Sequence, residues 1–139
     1  MILENEYKNP LPEILPETKQ YWEAAKRHEL ILQRCKTCGQ IMYFPRIFCH
    51  KCLSDDIEWF RANGFGTVYS YTIIHYQIAH KSFESDVPYI YSIIDLDEGV
   101  RMISNVINID PFKVKIGMRV KVVFEDVTDE ISIPKFEPV

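Results

Sequence analysis

The stretch Cys35-Lys36-Thr37-Cys38-Gly39 … Phe48-Cys49-His50-Lys51-Cys52 contains all four cysteines, as two Cys-x-x-Cys pairs with ten residues between them. Two such pairs can place four thiolates around one metal ion in tetrahedral geometry. Gly39 follows the first pair, where the tight turn requires positive φ. The spacing therefore predicts a structural zinc ribbon whose ligands are Cys35, Cys38, Cys49 and Cys52. A shell of four thiolates leaves no open position, so we expect the metal to have no catalytic role.

Other arrangements of the same cysteines remain open from the sequence. Two disulfides require an oxidising compartment, and residues 1–6 lack the basic segment of a signal peptide. A redox Cys-x-x-Cys needs only one pair, usually within a βαβ unit. Iron in a rubredoxin-like site is the alternative to Zn²⁺, because tetrahedral sulfur suits either metal. We expect His50 to be an exposed loop residue, since four cysteines already complete the shell.

Composition favours a small globular protein over a membrane or general nucleic-acid-binding protein. The chain has 139 residues, of which 47% are hydrophobic, and its net charge is −4. No apolar run approaches the roughly 20 residues of a membrane span. The acidic balance argues against a general nucleic-acid binder. Between residues 26 and 52, however, the chain has six basic side chains and only one acidic side chain. We expect a cytoplasmic protein with a mildly basic ribbon.

An amphipathic helix is predicted over residues 17–29, within an N-terminal helical segment over residues 1–29. Thr18, Tyr21, Trp22 and Ala25 share one face of this helix. That face either packs on the protein's own core or docks a partner through Tyr21 and Trp22, because Trp and Tyr are favoured interface anchors. For a protein held in a complex, we expect an exposed apolar patch near Leu15, Tyr21 and Trp22.

The rest of the chain is predicted to be mainly β, with a rubredoxin-like zinc ribbon over residues 30–60 and a five-stranded OB-fold domain over residues 61–139. Runs of β-branched and aromatic residues alternate with turn residues. The predicted strands are 30–33 and 57–61 in the ribbon and 67–79, 89–96, 100–107, 119–125 and 131–136 in the barrel. Residues 64–66 and 97–99 are predicted turns. The first barrel strand is long enough to bend, and the widest connection separates the third strand from the fourth. This order is typical of an OB-type barrel, although SH3-like barrels have a similar pattern.

This arrangement resembles the acyl-CoA-associated family that joins a rubredoxin-like zinc ribbon to an OB fold, catalogued as domain of unknown function thirty-five. The residues that carry the resemblance are Glu29-Leu30, Gln33-Arg34-Cys35, Cys38-Gly39, Phe44-Pro45-Arg46, Cys49, Cys52, Gly64, Gly66-Thr67-Val68-Tyr69-Ser70-Tyr71-Thr72, Pro88-Tyr89, Leu96-Asp97-Glu98-Gly99 and Gly117-Met118-Arg119-Val120. They follow in the family's order from about residue 17 to residue 136. The resemblance implies a companion of thiolases, acyl-CoA ligases and related condensing or hydratase enzymes in lipid, isoprenoid or polyketide-type metabolism. It also implies a chain that binds or passes an acyl-CoA and holds two enzymes together.

The residues themselves offer no obvious catalytic set. Thiolase chemistry needs a free cysteine nucleophile, and every cysteine here is assigned to the metal. The chain has no Gly-x-Ser-x-Gly elbow, phosphate loop or dinucleotide fingerprint. A catalytic pair of His75 or His80 with Asp86 or Asp95 is the alternative, but core or rim histidines are commoner. We therefore predict no catalytic residues and a protein that is not an enzyme.

Coenzyme A binding, which the resemblance implies, would suit a basic patch beside an aromatic slot. Arg34, Arg46 and Lys51 are predicted to contact its phosphates, and Tyr69 and Tyr71 to line a slot for the acyl arm. Lys36, Arg61, Tyr76, Tyr89 and Tyr91 are further candidates. Packing of the tyrosines and balancing of thiolate charge by the basic residues remain the structural alternatives.

Two functions follow. The first is a non-catalytic acyl-CoA or fatty-acyl binding and bridging subunit that partners a thiolase or related condensing enzyme. The alternative is a single-stranded nucleic-acid-binding module, because strand aromatics in ribbons and OB folds stack on bases.

Overall fold

The computed structural model describes residues 7–76 and 81–139, which form one short helix, a three-stranded sheet and a five-stranded sheet. The elements are α1 (Lys19–Lys26), β1 (Ile31–Cys35), β2 (Ile41–Met42), β3 (Ile57–Arg61), β4 (Phe65–Ile74), β5 (Tyr89–Leu96), β6 (Arg101–Ser104), β7 (Arg119–Asp126) and β8 (Ser132–Pro138), with 3-10 turns at Lys81–Ser85 and Pro111–Lys113. In the described ranges, no helix is both long and apolar enough to cross a membrane.

The smaller sheet carries the cysteine turns. Its central strand, β1, pairs antiparallel with β2 on one side and β3 on the other. β3 has the predicted bounds, whereas β1 starts one residue later and ends two residues later than predicted. Its pairing with β3 continues as far as Cys35 opposite Ile57, so the first cysteine ends a paired strand.

The larger sheet has the order β6-β5-β4-β7-β8, with every neighbouring pair antiparallel. Its two outer regions meet at an isolated parallel bridge between Val106 and Phe136. There the amide of Ile107 donates to the carbonyl of Phe136 at 2.7 Å, and the amide of Phe136 donates to the carbonyl of Asn105 at 2.9 Å. The sheet therefore curls into an OB-like half-barrel, and the predicted mainly β fold is confirmed.

Residues 64–66 do not form the predicted turn, because β4 already begins at Phe65. Gly66 pairs with Leu96 on one side and Val120 on the other. A Cβ at Gly66 would lie 2.7 Å from Cγ2 of Ile94, so this glycine permits close strand packing. The prediction was wrong here because turns and closely packed strands can both require glycine.

The predicted bend in β4 is confirmed by a break in its register with β5. The pairing shifts between Val68 and Ser70, which leaves Tyr69 in an irregularity of the strand. The strand ends at Ile74, and residues 77–79 of the predicted strand lie outside the described residues. β6 is shorter than predicted because the chain after Ser104 leaves β5 and crosses to β8.

One hydrophobic cluster joins the helix, the ribbon strands and the barrel. Tyr21 and Trp22 belong to this cluster and are only 2% and 8% exposed, so these two side chains do not form an exposed patch on the chain alone. The apolar face of α1 packs on the protein's own core, which is the first of the two predicted arrangements, and a partner contact at this helix stays a prediction. Leu15, just before the helix, is exposed as predicted.

Candidate metal centre and ligand surfaces

Two similar turns carry the cysteines. The amide of Gly39 donates to the carbonyl of Cys35 at 2.8 Å, and the amide of Leu53 donates to the carbonyl of Cys49 at 2.9 Å. Gly39 and Leu53 take positive φ values of 81° and 65°. The requirement for positive φ was anticipated at Gly39, but the sequence has no such signal at Leu53.

The turns bring the four cysteine sulfurs together. Sγ of Cys35 lies 3.5 Å from Sγ of Cys52, and Sγ of Cys38 lies 3.6 Å from Sγ of Cys49. All four sulfurs lie within 4.8 Å of one another. Tetrahedral coordination with metal–sulfur bonds of about 2.3 Å would separate sulfurs by roughly 3.8 Å. The four cysteines are therefore positioned to bind one metal ion, and in this structure they are free thiols and not disulfides.

The backbone around the cysteines favours thiolates at two positions. The amide of Cys38 lowers the pKa of Cys35 to about 6, and the amide of Cys52 lowers the pKa of Cys49. The amide of Ser54 has the same effect on Cys52, but burial and the three neighbouring thiols together raise the pKa of Cys52 to about 12. Four adjacent thiols thus need a cation between them to ionise together, which is how metal binding and proton release become linked.

The predicted phosphate-binding residues have different surroundings. Nη1 of Arg34 lies 3.3 Å from Oε2 of Glu58, and its guanidinium stacks 4.3 Å above the centre of the Phe60 ring. Arg46 and Lys51 have exposed side chains. The backbone of Arg46 is held by Gln33, whose side chain donates to its carbonyl at 3.0 Å and accepts from its amide at 2.7 Å. The exposed positive charge of the ribbon therefore comes from Arg46 and Lys51 more than from Arg34. We call the surface formed by Arg46 and Lys51 the basic flank.

The predicted aromatic slot is divided between two environments. Tyr69 is exposed on β4, and the Arg101 guanidinium lies 3.6 Å from its ring centre. Nε of Arg101 in turn donates to Asp95 at 2.7 Å. Tyr71 is half-buried and packs against the core. None of the cavities that we describe within residues 7–76 and 81–139 joins these tyrosines to the basic flank.

Two cavities were missed by the sequence reasoning because each forms between segments distant in the chain. A cavity of about 520 Å³ lies at one end of the barrel, and Lys8 beside it pairs with Asp86 at 2.7 Å. A second cavity, of about 220 Å³, lies where α1, the ribbon and the barrel meet; we call it the seam cavity. Its lining residues are Tyr21, Trp22, Tyr43, Tyr91, Met102, Ile103, Ser104, Asn105, Ile133 and Pro134. Tyr91 was a sequence candidate for an acyl slot.

The proposed histidine–carboxylate pairs do not form among the described residues. The ring of His75 lies beside Phe112, with 5.8 Å between ring centres, while Asp86 pairs with Lys8 and Asp95 pairs with Arg101. His80 lies outside the described residues.

A different histidine does contact a carboxylate. Nε2 of His28 lies 2.8 Å from Oδ1 of Asp126, and the hydroxyl of Ser132 donates to the same oxygen. Serine and histidine thus share one carboxylate, whereas nucleophilic catalysis needs the hydroxyl to contact the imidazole directly. This arrangement stabilises the surface and does not activate the serine.

Comparison with known proteins gives matches across most of the chain. The family described as "ChsH2, rubredoxin-like zinc ribbon domain" matches residues 22–58, and "ChsH2, C-terminal OB-fold domain" matches residues 59–125. A DUF35 domain-containing scaffold protein of Methanocaldococcus jannaschii is 37% identical over 111 residues, covering 78% of this chain and 77% of that protein. A probable enoyl-CoA hydratase alpha subunit of Thermomonospora curvata is 36% identical over 93% of this chain, which spans only 40% of that relative.

A solved structure is also similar throughout. One chain of a structure described as "Ltp2-ChsH2(DUF35) aldolase" superposes with a TM-score of 0.81 at 35% identity. The match covers 92% of this chain and 98% of that chain.

Proposed function

Because the chain belongs to the ChsH2-type family of zinc-ribbon and OB-fold proteins, which includes DUF35 scaffold proteins, we propose that it is a non-catalytic subunit of an acyl-CoA enzyme complex. In this proposal it binds an acyl-CoA and bridges to a thiolase-like, aldolase or hydratase subunit. Names of relatives support this class of partner. The cytoplasmic location predicted from the sequence is part of the same proposal.

The observation that carries the proposal is the gathering of all four cysteines in one cluster. Carbon–carbon bond formation or cleavage of the thiolase type needs a cysteine nucleophile, and this chain keeps none outside the cluster. In this proposal, chemistry of the thiolase type therefore belongs to a partner. We propose Zn²⁺ as the metal held by Cys35, Cys38, Cys49 and Cys52, where it would fix both turns and leave no open position for substrate.

The proposed coenzyme A contact begins at the exposed flank formed by Arg46 and Lys51, with Arg34 as a further contact. Their positive charge would attract the phosphates of coenzyme A. The assignment of Tyr69 and Tyr71 to the acyl arm stays a prediction, and it would require Arg101 to move from the Tyr69 ring.

Native co-purification followed by mass spectrometry tests the partnership, and thermal shift with acetyl-CoA or acetoacetyl-CoA tests the ligand. We expect a thiolase-like, aldolase or hydratase partner and a raised melting temperature. The double variant Arg46→Ala/Lys51→Ala should reduce the shift, whereas Lys113→Ala/Lys115→Ala, which removes two exposed charges elsewhere, should not. Absence of both partner and shift would refute the proposal. Salt-dependent binding to a single-stranded oligonucleotide would instead favour the alternative function.

A further inference from the structure

A groove between α1 and the ribbon sheet continues the basic flank. It consists of two adjoining cavities, of about 420 Å³ and 530 Å³, which share the lining residues Gln20, Glu23 and Trp59. Arg46, which belongs to the basic flank, lines the larger of the two. We call the two cavities together the helix groove. A ligand held at the basic flank can therefore extend into the helix groove.

The floor of the helix groove is one face of the ribbon sheet. Trp59 and Arg61 are two residues apart in β3, so their side chains leave the same face of the strand about 7 Å apart. Gln33 pairs with Trp59 across the strands, and its side chain holds the backbone of Arg46 through hydrogen bonds of 3.0 Å and 2.7 Å. Trp59 is half-buried and packs against the main cluster, which fixes its position. It thus has an arginine in each cavity that it lines, Arg61 in one and Arg46 in the other.

The wall of the helix groove is the exposed side of α1. Gln20, Glu23 and Arg27 follow one another at spacings of three and four residues, which places them on one side of the helix and its C-terminal end. All three residues are exposed. Because Gln20 and Glu23 line both cavities with Trp59, an amide and a carboxylate lie beside the indole. A carboxylate accepts hydrogen bonds and an amide both donates and accepts them, so this wall suits the edge of a planar heterocycle that carries an amino group.

The charge of the helix groove favours an anionic ligand. Basic residues outnumber acidic ones among its charged lining residues, which are Glu17, Lys19, Glu23, Arg27, Arg46 and Arg61. Arg46 and Arg61 are exposed and form no ion pair within residues 7–76 and 81–139. Arg27 is partly engaged, since it lies 3.8 Å from Glu29 and donates to the carbonyl of Glu23 at 3.3 Å. Arginine binds phosphate through its planar fork, and tryptophan stacks on nucleic-acid bases. The combination therefore selects a flat ring that carries phosphates, which is a nucleotide.

We propose that the helix groove binds the 3′-phosphoadenosine end of coenzyme A, with the adenine ring stacked on Trp59. This inference rests on the proposed acyl-CoA function and names the site of the nucleotide. Arg61, which the sequence suggested as a phosphate contact, binds the 3′-phosphate, and Arg46 binds the diphosphate. Glu23 accepts a hydrogen bond from the adenine amino group. The pantetheine arm leaves the groove at the basic flank, so the acyl group stays accessible to a partner enzyme.

The test uses the metal-loaded full chain, with coenzyme A, adenosine 3′,5′-diphosphate, pantetheine and ATP as probes. Isothermal titration measures the affinities, and the indole ¹H–¹⁵N resonance of Trp59 reports the proposed stacking. The chain has two tryptophans, and the indole of the buried Trp22 serves as the internal reference. Arg61→Ala removes one proposed phosphate contact. Lys113→Ala removes an exposed charge that does not line the helix groove, so it serves as the matched control.

We expect coenzyme A and adenosine 3′,5′-diphosphate to shift the Trp59 indole resonance, and pantetheine to leave it in place. Arg61→Ala should weaken the binding of both nucleotides at least about tenfold, as for loss of a hydrogen bond to a charged group. Lys113→Ala should bind them as the unmodified chain does, and ATP, which lacks the 3′-phosphate, should bind more weakly than coenzyme A.

Three results would contradict the proposal. Coenzyme A that binds Arg61→Ala as tightly as the unmodified chain and leaves the Trp59 resonance in place would overturn the nucleotide site in the helix groove, while the acyl-CoA function would stand. ATP that binds more tightly than coenzyme A would overturn the assignment of the groove to coenzyme A. No binding of coenzyme A to the unmodified chain would overturn both the site and the acyl-CoA function.

Discussion

Removal of the metal should unfold the cysteine turns while the barrel stays folded. The turns have a very small core of their own, which consists of Cys35, Met42 and Cys49 with Ile57 packed against it. Burial of Met and Ile side chains contributes about 1.5–3 kcal/mol each. A structural Zn²⁺ in a finger peptide contributes about 10–16 kcal/mol. The metal therefore stabilises the turns far more than side-chain burial does, and the turns should not persist without it.

The strands β1 and β3 of the ribbon should stay folded when the cysteine turns unfold. Leu32 in β1 and Phe60 in β3 pack in the main cluster with barrel residues, so their strand pairing has support that does not depend on the metal. We expect unfolding over residues 36–56 and retained structure in β5 and β7. Loss of even about 4 kcal/mol of local stability would lower amide protection about a thousandfold.

Hydrogen exchange with mass spectrometry, before and after chelation, measures this directly. Metal content is verified on the same samples. Cys38→Ser should reproduce the effect of chelation. Thr37→Ala is the matched control, because it removes only the 2.8 Å hydrogen bond between the Thr37 and Ser54 hydroxyls and should cost about 1 kcal/mol or less. Unchanged protection across residues 36–56 in verified metal-free protein would refute the reasoning.

Three further predictions concern the barrel and the second cysteine turn. Arg119 lowers the pKa of Asp97 to about 2, below the unfolded value of about 3.9. The ion pair between Asp97 and Arg119 therefore stabilises the fold above about pH 4, and this stabilisation is lost as the pH falls toward 2. Asp97→Asn should accordingly lower the melting temperature at pH 6 but not at pH 2. Gly66→Ala should destabilise the fold by about 1–3 kcal/mol in denaturant titrations, because its Cβ would meet Ile94; an unchanged midpoint would contradict this. Leu53→Gly should stabilise the metal-loaded protein by roughly 0.5–1 kcal/mol, since it relieves the positive φ; a lower melting temperature would indicate a role for the exposed leucine.

The local sequence pattern was sufficient to predict structure where one short segment determines its own conformation. The spacing of the cysteines predicts the cluster, the predicted strand 89–96 has the observed bounds of β5, and alternation predicts β7 to within one residue of its end. The local pattern was not sufficient at Gly66, because a turn and a close contact between strands both require glycine. Neither could it decide what covers Tyr21 and Trp22, because the covering surface is formed by strands far away in the sequence.

The candidate ligand sites show the same limit. Composition identifies Arg46 and Lys51 as a basic flank, but only the folded chain shows that the guanidinium of Arg101 lies over Tyr69. The seam cavity has no sequence signal beyond its aromatic residues. Its walls come from segments that meet only after α1 packs on the barrel.

The metal centre also has an indirect role in maintaining the seam cavity. Tyr43 lines the seam cavity and lies between the two cysteine pairs, one residue after Met42. Met42 packs with Cys35 and Cys49 in the small ribbon core, whereas Tyr43 packs against the main cluster. Two successive residues therefore connect the metal-supported core to the wall of the cavity. Loss of the metal should release Tyr43 from that wall, so that the ring resonances of Tyr43 shift on chelation although no cysteine lines the cavity. Unchanged Tyr43 ring resonances after verified metal removal would show that the cavity is maintained by the helix and barrel alone.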